Sequence, residues 1–422
     1  MQLDCIGPNP YYVSPMSQYT LKINNHAYRW YVLALGALTH TLVSGMPLMC
    51  MPVLFKEISQ DLGLSLVQIG TVWGFGSMSG IVTGLIGGSL GDRFGTNRVL
   101  SMACLLAGLS GAFRGLSNDF ITLAATAFLF GFLLPAIPPN VHKVCGIWFS
   151  GKRLGLANGV VSAGMALGFM LGSMISATLL SPLLGGWRNV LFFLGIISIS
   201  MSIPWLIIKQ GPDKTQSSPS IQSISVRKTF SHVIRLRSIF YFGLVMVGIG
   251  GCIQGMLGYL PLYLRDIGWS AAQADGALAT FHGVSMIFTI PMALLSDRLG
   301  SRKNLLIITT IMTILGVGLL SVAHGLLVWI AVLISGISRD GFMAIFMTMI
   351  METEGVGQHF AGTAMGMIMV YYRLAGLTTP PVGNSLAVLN AGLPFVFWAA
   401  VGCCALLGFY FVKDGEKRKI SV

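Results

Sequence analysis

Three charged side chains lie inside long apolar stretches of the chain, where they could bind or move charge. Arg339 and Asp340 fall near the middle of the apolar stretch 326–350, and Arg373 falls near the middle of 361–388. A charge at the centre of a bilayer costs about 3 kcal/mol or more, so it is kept where it faces a cavity or a partner. A guanidinium matches the geometry of a carboxylate or phosphate. Because two guanidiniums outnumber one carboxylate, these residues predict a binding site for an organic anion.

Arg339 and Asp340 are consecutive, so on a helix their side chains point about 100° apart. In one arrangement Arg339 faces the cavity while Asp340 pairs with Arg373, and in the other Arg373 faces the substrate. A third interpretation is a structural cluster of the three residues that joins two helices, with an apolar or cationic substrate bound elsewhere. Asp340 is also the candidate proton carrier, because an anion that competes with it for arginine would couple its protonation to binding.

Other polar side chains inside the apolar stretches could line the same cavity, although each could equally be a hydrogen-bonded packing residue. His40 and His282 could also carry the proton, since a histidine changes charge near neutral pH. The candidate cavity residues are His40, Asn140, Gln254, Tyr259, His282, Tyr371 and Tyr372.

The elements that must position these residues are membrane helices. Hydrophobic residues make up 54% of the 422 positions and charged residues 9%, with a mean hydropathy of +0.77, which indicates an integral membrane protein. Apolar stretches of about 18 or more residues predict spanning helices rather than the short strands of a barrel. We number the twelve predicted helices span 1 to span 12, at 30–54, 66–91, 98–116, 119–147, 155–181, 187–208, 237–264, 271–295, 304–323, 326–350, 361–388 and 393–412.

The predicted fold is therefore an all-α membrane protein with twelve transmembrane helices in two pseudo-symmetric halves of six. The predicted divisions are a tail 1–29, an amino-terminal bundle 30–208, a linker 209–236, a carboxy-terminal bundle 237–412 and a tail 413–422.

The basic residues indicate how the chain is oriented. The formal net charge is +12, and most of the 26 basic residues fall on the side that holds both tails and the linker. By the positive-inside rule this side is cytoplasmic, and the membrane is expected to be the cell membrane. The charge thus reports topology, and no nucleic-acid partner is expected. The basic residues expected on the outer face are Lys56, Arg114, Arg188 and Arg265.

One charged turn occurs once in each half. Gly88-Ser89-Leu90-Gly91-Asp92-Arg93-Phe94-Gly95 separates spans 2 and 3, and Ala293-Leu294-Leu295-Ser296-Asp297-Arg298-Leu299-Gly300 separates spans 8 and 9. Glycine permits close helix approach and a tight reversal, and the two aspartates can accept hydrogen bonds from basic residues or helix N-termini of the other half. A turn repeated in this way indicates a chain built from two equivalent halves.

The first turn resembles the signature loop of the major facilitator superfamily, and the second resembles it with Ala293 in place of the first glycine. The resemblance implies the fold given above, transport by alternating access, and a gating role for the turns. The implied gate residues are Gly88, Gly91, Asp92, Arg93, Gly95, Asp297, Arg298 and Gly300. Arg93 and Arg298 could instead serve only as positive-inside anchors.

A second segment resembles the signature between spans 4 and 5 of monocarboxylate and oxalate/formate-type carriers. It reads Trp148-Phe149-x-x-Lys152-Arg153-x-x-Leu156-Ala157-x-Gly159-x-x-x-Ala163-Gly164. The chain departs from the monocarboxylate carriers in span 8, which contains Asp275 and His282 but no arginine. This departure leaves the exact anion open.

The sequence contains no phosphate-cradling loop, nucleophile–base pair or metal-ligand spacing, so we expect neither an enzyme nor a bound cofactor or metal. Transport must then be secondary. The predicted function is a monomeric transporter in the lipid bilayer that carries a small organic anion, driven by protons. The alternative is a proton-antiporting exporter of drugs or hydrophobic metabolites, for which the 23 methionines would suit loose selection. Span 5 lacks the Gly-Pro pair found in the signature of such exporters.

Overall fold

The computed structural model describes residues 15–78, 90–91, 93–150, 152–208, 231–299 and 301–412, and the regular secondary structure of these residues is helical. The predicted tail 413–422 and most of the linker 209–236 lie outside the described residues. Span 1 begins at Pro15, inside the predicted tail 1–29, because polar residues continue the same helix before the apolar stretch starts.

The described residues of the amino-terminal half form spans 1 to 6, and they include two π-helical turns and two 3-10 turns. Span 1 is Pro15–Thr39, a π-helical turn His40–Gly45, and Met46–Leu62. Spans 2 and 3 are Leu66–Met78 and Thr96–Phe113, the latter ending in a 3-10 turn Arg114–Leu116. Span 4 is Phe120–Leu133, Leu134–Ala136 and Ile137–Trp148. Span 5 is Lys152–Ile175, Ser176–Leu180 and Ser181–Leu184, and span 6 is Trp187–Ser200 and Ser202–Ile207.

In the described part of the carboxy-terminal half, each of the six spans is a single α-helix. Spans 7 to 12 are Arg237–Asp266, Ala271–Leu299, Arg302–Leu319, Leu326–Glu352, Gly357–Leu386 and Leu393–Phe411. Among the described residues, ten helices are long and apolar enough to cross a membrane. The other two are span 2, of which the helix Leu66–Met78 is described, and span 11, a helix of 30 residues. The predicted all-α, twelve-helix membrane fold is confirmed.

Each half is a bundle, and the two bundles meet mainly along three pairs of helices. Span 2 packs against span 11, span 5 against span 8, and span 1 against span 7. Large apolar side chains such as Ile196, Leu206, Ile290 and Leu315 are more than half exposed on the outside of the bundles. An apolar exterior of this kind suits contact with lipid rather than with water.

Spans 1 and 5 approach closely because small residues line their contact. A Cβ atom on Gly168 would lie 2.5 Å from the backbone oxygen of Thr41, and one on Gly164 would lie 2.6 Å from that of Ala37. The Thr41 hydroxyl in turn donates to the Gly164 carbonyl at 2.8 Å. The two backbones are therefore in direct contact, which is how membrane helices gain packing energy without bulky side chains.

Prolines interrupt span 4 near its centre. Pro135 lies in the 3-10 turn Leu134–Ala136, and Pro138 and Pro139 open the helix that follows. A proline lacks the N–H of the helical ladder and its ring crowds the preceding turn, so the helix changes geometry at this point. The interruption places the end of the first helical segment and the start of the next beside the space between the two halves.

We predict that Gly168→Ala destabilises the protein by roughly 1–3 kcal/mol, because the added methyl group would overlap the backbone of span 1. The measurement is the thermal unfolding of the purified protein in detergent. The matched control is Gly159→Ala on the same helix, where a Cβ atom would meet nothing within 4 Å. Equal melting temperatures for the two variants would contradict the tight packing of spans 1 and 5.

Candidate functional site

A cavity of about 730 Å³ lies between the two halves. Spans 1, 2, 4 and 5 and the end of span 3 form one side of it, and spans 7, 10 and 11 form the other. A volume of this size holds a small organic molecule, which is typically bound by an apolar wall with a few well-placed polar groups.

Methionine and aromatic side chains supply 11 of the 29 residues that line the cavity. Methionine adapts its shape to a ligand, and aromatic rings pack edge-on or in offset stacks against a second ring. The wall therefore suits a flat, largely apolar body. The methionine and aromatic residues that line it are Met49, Met51, Met165, Met347, Met365, Met369, Phe55, Trp73, Phe130, Phe169 and Tyr372.

Three arginines also line the cavity, namely Arg114, Arg339 and Arg373. No aspartate or glutamate of the described part of the chain lines it with them. Since arginine stays protonated at any physiological pH, the cavity has a positive electrostatic potential.

Arg339 is held by its own helix and by span 8. Its guanidinium lies 3.3 Å from the Asp340 carboxylate and 3.3 Å from Nδ1 of His282. A guanidinium can only donate, so Nδ1 of His282 accepts and the imidazole proton lies on Nε2. The rings of Phe169 and Phe281 lie 5.1 and 5.8 Å from the guanidinium carbon, within range of a cation–π interaction.

Arg373 connects the two halves. Its Nη1 donates to the backbone carbonyl of Ser77 in span 2 at 2.9 Å. The expected pairing of Asp340 with Arg373 is not formed, since the ion pair of Asp340 is with Arg339. The physical reason is that the long side chain of Arg339 bends back along span 10 to reach the next residue, while span 11 directs Arg373 toward span 2. Both arginines line the cavity, so neither arrangement that sends only one of them there describes the structure.

Gln254 and Tyr372 form a polar pair in the cavity wall. The Gln254 side-chain amide donates to the Tyr372 hydroxyl at 3.2 Å, and the backbone carbonyl of Gln254 accepts from the indole N–H of Trp73 at 2.9 Å. The second contact crosses between the halves, so Gln254 is fixed relative to both. Of the seven polar candidates, these two line the cavity.

Two of the other polar candidates lie in helix contacts of the amino-terminal half. His40 is buried and donates from Nδ1 to the Val161 carbonyl in span 5 at 3.1 Å. The side-chain amide of Asn140 donates to the Ala136 carbonyl at 2.8 Å, and its oxygen lies where a Cβ on Gly91 would fall. Neither residue lines the cavity.

The remaining candidates pack within the carboxy-terminal half. The Tyr259 hydroxyl donates to the Ala391 carbonyl at 3.2 Å, and the ring of Tyr371 fills the space beside Gly243. His282 is buried behind the cavity wall, where it contacts two lining residues, Arg339 and Phe169. These contacts agree with the alternative interpretation of the sequence, in which each of these candidates is a packing residue rather than a cavity residue.

Arg114 is a cavity residue that the sequence placed on the outer face. It is 2% exposed, its guanidinium lies 3.9 Å from the centre of the Phe130 ring, and it donates to the Pro47 carbonyl at 3.2 Å. An arginine at the end of an apolar helix is ordinarily interpreted as extending to the membrane surface. Here span 3 ends in a 3-10 turn, and the Arg114 side chain points inward instead. Hydropathy does not predict such a turn, so the burial of Arg114 was not expected.

A buried ion pair at the end of the bundle opposite the chain termini was also missed. Arg265 of span 7 pairs with Asp275 of span 8, with side-chain exposures of 9% and 0%. Arg265 also donates to the Val53 carbonyl of span 1 at 2.8 Å, and Thr178 of span 5 donates to Asp275 at 2.7 Å. These contacts join four helices from both halves at this end of the bundle. Asp275, rather than Asp340, is the more deeply buried carboxylate.

Some of the predicted gate residues lie within the described part of the chain and others do not. Gly88, Asp92 and Gly300, and the side chain of Asp297, lie outside the described residues. Arg93 and Arg298 are exposed. Gly91 is buried against Asn140, and Gly95 has a φ of +89°, a conformation that residues with a side chain rarely adopt.

A protein-family model and a solved structure each match most of this chain. A family model described as Major Facilitator Superfamily matches residues 33–380 and, in a second match, residues 266–421. A solved structure of a bacterial homologue of the human lysosomal transporter Spinster, inward-facing and unoccupied, has a TM-score of 0.74 at 15% identity and covers 91% of this chain and 96% of its own.

Two curated proteins are similar over nearly their full length. The 3-(3-hydroxy-phenyl)propionate transporter of Escherichia coli K12 is 23% identical over 393 residues, which cover 90% of this chain and 93% of the relative. The gallate transporter of Pseudomonas putida is 24% identical over 411 residues, which cover 88% of each protein.

We predict that Asp275→Asn and Arg265→Gln each destabilise the protein by about 3–5 kcal/mol, because either leaves one buried charge without its partner. The double variant should be less destabilised than the sum of the two. Melting curves in detergent measure all three. The control is Asp266→Asn, since Asp266 pairs with Lys56 at an exposed site, with exposures of 37% and 33%, and a pair of this kind contributes about 1 kcal/mol or less. Additive effects of the two single changes would contradict the coupling.

Proposed function

Because the chain belongs to the major facilitator superfamily, we propose that it is a secondary transporter that carries an aromatic organic acid across the cell membrane by alternating access. The family consists of transporters, so the chain is a transporter rather than an enzyme. Both curated relatives are described as transporters of hydroxylated aromatic acids, which supports the substrate class.

One observation carries the choice of substrate. Three guanidiniums line a cavity whose described lining also contains 11 methionine and aromatic side chains, and no carboxylate of the described lining offsets the guanidiniums. An aromatic carboxylate matches both features, because its anionic end can take N–H donors and its ring can pack against the wall. A hydrophobic cation, as expected for many exported drugs, would meet repulsion in the same cavity.

The substrate carboxylate binds Arg339 and Arg373 in this proposal. Both lie on the carboxy-terminal half, and Arg373 is tied to Ser77 of the other half. The aromatic body then lies against Phe169 and Tyr372. Gln254 and Tyr372 offer an amide and a hydroxyl to polar substituents of the ring, which suits a phenolic acid.

The transport cycle follows from where the halves touch. Contacts between Arg265 and span 1 and between Asn384 and the Leu66 carbonyl hold the halves together at the end opposite the termini. If the termini are cytoplasmic, as the distribution of basic residues favours, this is the inward-facing state. We propose that the turns containing Asp92, Arg93, Asp297 and Arg298 form the alternative contact in the outward-facing state.

Proton coupling follows from the pairing of Arg339 with Asp340. While Asp340 is ionised, its carboxylate at 3.3 Å competes with a substrate anion for the guanidinium. When Asp340 is protonated, its carboxyl group no longer competes with the substrate anion for the Arg339 guanidinium. Binding of a proton and binding of the anion therefore favour each other. This linkage predicts symport.

We predict that Arg339→Lys and Arg373→Lys each lower uptake of 3-(3-hydroxyphenyl)propionate by about tenfold or more, because an ammonium cannot replace the two-pronged guanidinium. Uptake into proteoliposomes measures this. The control is Arg235→Lys, since Arg235 is exposed and precedes span 7. Undiminished uptake by both cavity variants would refute the anion site.

We predict that an acidic exterior stimulates uptake and that Asp340→Asn abolishes this response while retaining exchange of substrate across the membrane, because the asparagine cannot take up a proton. Proteoliposomes with an imposed pH gradient test accumulation, and preloaded proteoliposomes test exchange. Uptake by the unmodified protein that ignores the pH gradient would instead indicate uniport or anion exchange.

A further inference from the structure

We propose that Arg114 binds an anionic group of the transported acid, so that the substrate is held by charges on both halves of the protein. The proposal rests on the function given above and adds a binding residue in the amino-terminal half. It concerns the third arginine of the cavity, which lies at the end of span 3 farthest from the termini.

Arg114 is a buried charge without an acidic partner. It is 2% exposed, and the ion pairs of the described residues do not include it. Arg265, which is nearly as buried, is neutralised by Asp275. A buried guanidinium that serves only to hold helices together is expected to have such a partner, since an uncompensated charge is destabilising. An anion that enters from the cavity would supply the missing charge.

The hydrogen bonds of Arg114 leave one edge of its guanidinium available. Nε donates to the Gly111 carbonyl at 3.3 Å and Nη2 to the Pro47 carbonyl at 3.2 Å. The Phe130 ring covers one face at 3.9 Å. Nη1 has no hydrogen-bond partner among the described residues, although it is a donor. Because Arg114 lines the cavity, Nη1 is the donor positioned for a ligand.

The position of Arg114 gives it a role that Arg339 and Arg373 cannot fill. Those two lie on spans 10 and 11, so they place the charged contacts of the anion on the carboxy-terminal half alone, while Phe169 of span 5 offers only its ring. An acid that also contacts Arg114 is held by charges of both halves. Binding energy then becomes available to draw the halves together around the substrate, which is the step that alternating access requires.

The test is the affinity of the purified protein for gallate and for 3-(3-hydroxyphenyl)propionate, measured from the ligand-dependent rise in melting temperature. Arg114→Gln keeps a donor for the Pro47 carbonyl but removes the charge. We expect it to raise Kd by about tenfold or more. The matched control is Arg188→Gln, because Arg188 also lies on an aromatic ring, that of Trp187 at 4.4 Å, and is ion-paired, but does not line the cavity. Its Kd should stay unchanged.

Each outcome is decisive. If Arg114 were only structural, Arg114→Gln would lower the melting temperature without ligand and leave Kd as in the unmodified protein, which would overturn the proposal while the proposed function stands. If neither acid stabilises the unmodified protein, the proposed function fails as well. Should Arg114→Gln not fold, Arg114→Lys keeps the charge without the planar fork. A rise in Kd of about threefold or more supports the proposal, and an unchanged Kd overturns it.

Discussion

A charged side chain inside the hydrocarbon layer must have either a counter-charge or a polar space to face, and the organisation of this protein follows from how its few buried charges meet that requirement. Arg265 and Asp275 neutralise each other and tie four helices together at one end of the bundle. Arg114, Arg339 and Arg373 surround the cavity with no described carboxylate in its lining. The contacts of the Arg265–Asp275 pair join the halves at that end, and the cavity arginines form the proposed anion site.

The helices could be predicted from the sequence because hydropathy records contact with lipid directly. The two arginines in mid-span were also found this way, since a charge in an apolar stretch stands out. Their partners were not found, because partners depend on helix rotation and on bent side chains, as Arg339 shows by reaching Asp340. Arg114 and the Arg265–Asp275 pair were missed because they lie at helix ends, where hydropathy does not separate a surface charge from a buried one.

The repeated turn indicated two equivalent halves, and the bundles do meet through three matching helix pairs. The cavity does not share that symmetry. Two of its arginines come from spans 10 and 11, and the third comes from the end of span 3. The halves therefore have the same architecture but contribute different charged residues to the cavity.

Span 1 contains a feature of another kind, an irregular helical turn. Its π-helical turn His40–Gly45 lies directly before Met46–Leu62, which supplies part of the cavity wall. A π-helical turn holds one residue more than an α-helical turn. If that residue were absorbed into regular helix, the outer segment would advance by about 1.5 Å and rotate by about 100°. Such a change would turn the wall that contains Met49 and Met51, while the Thr41 hydroxyl could keep its hydrogen bond to span 5.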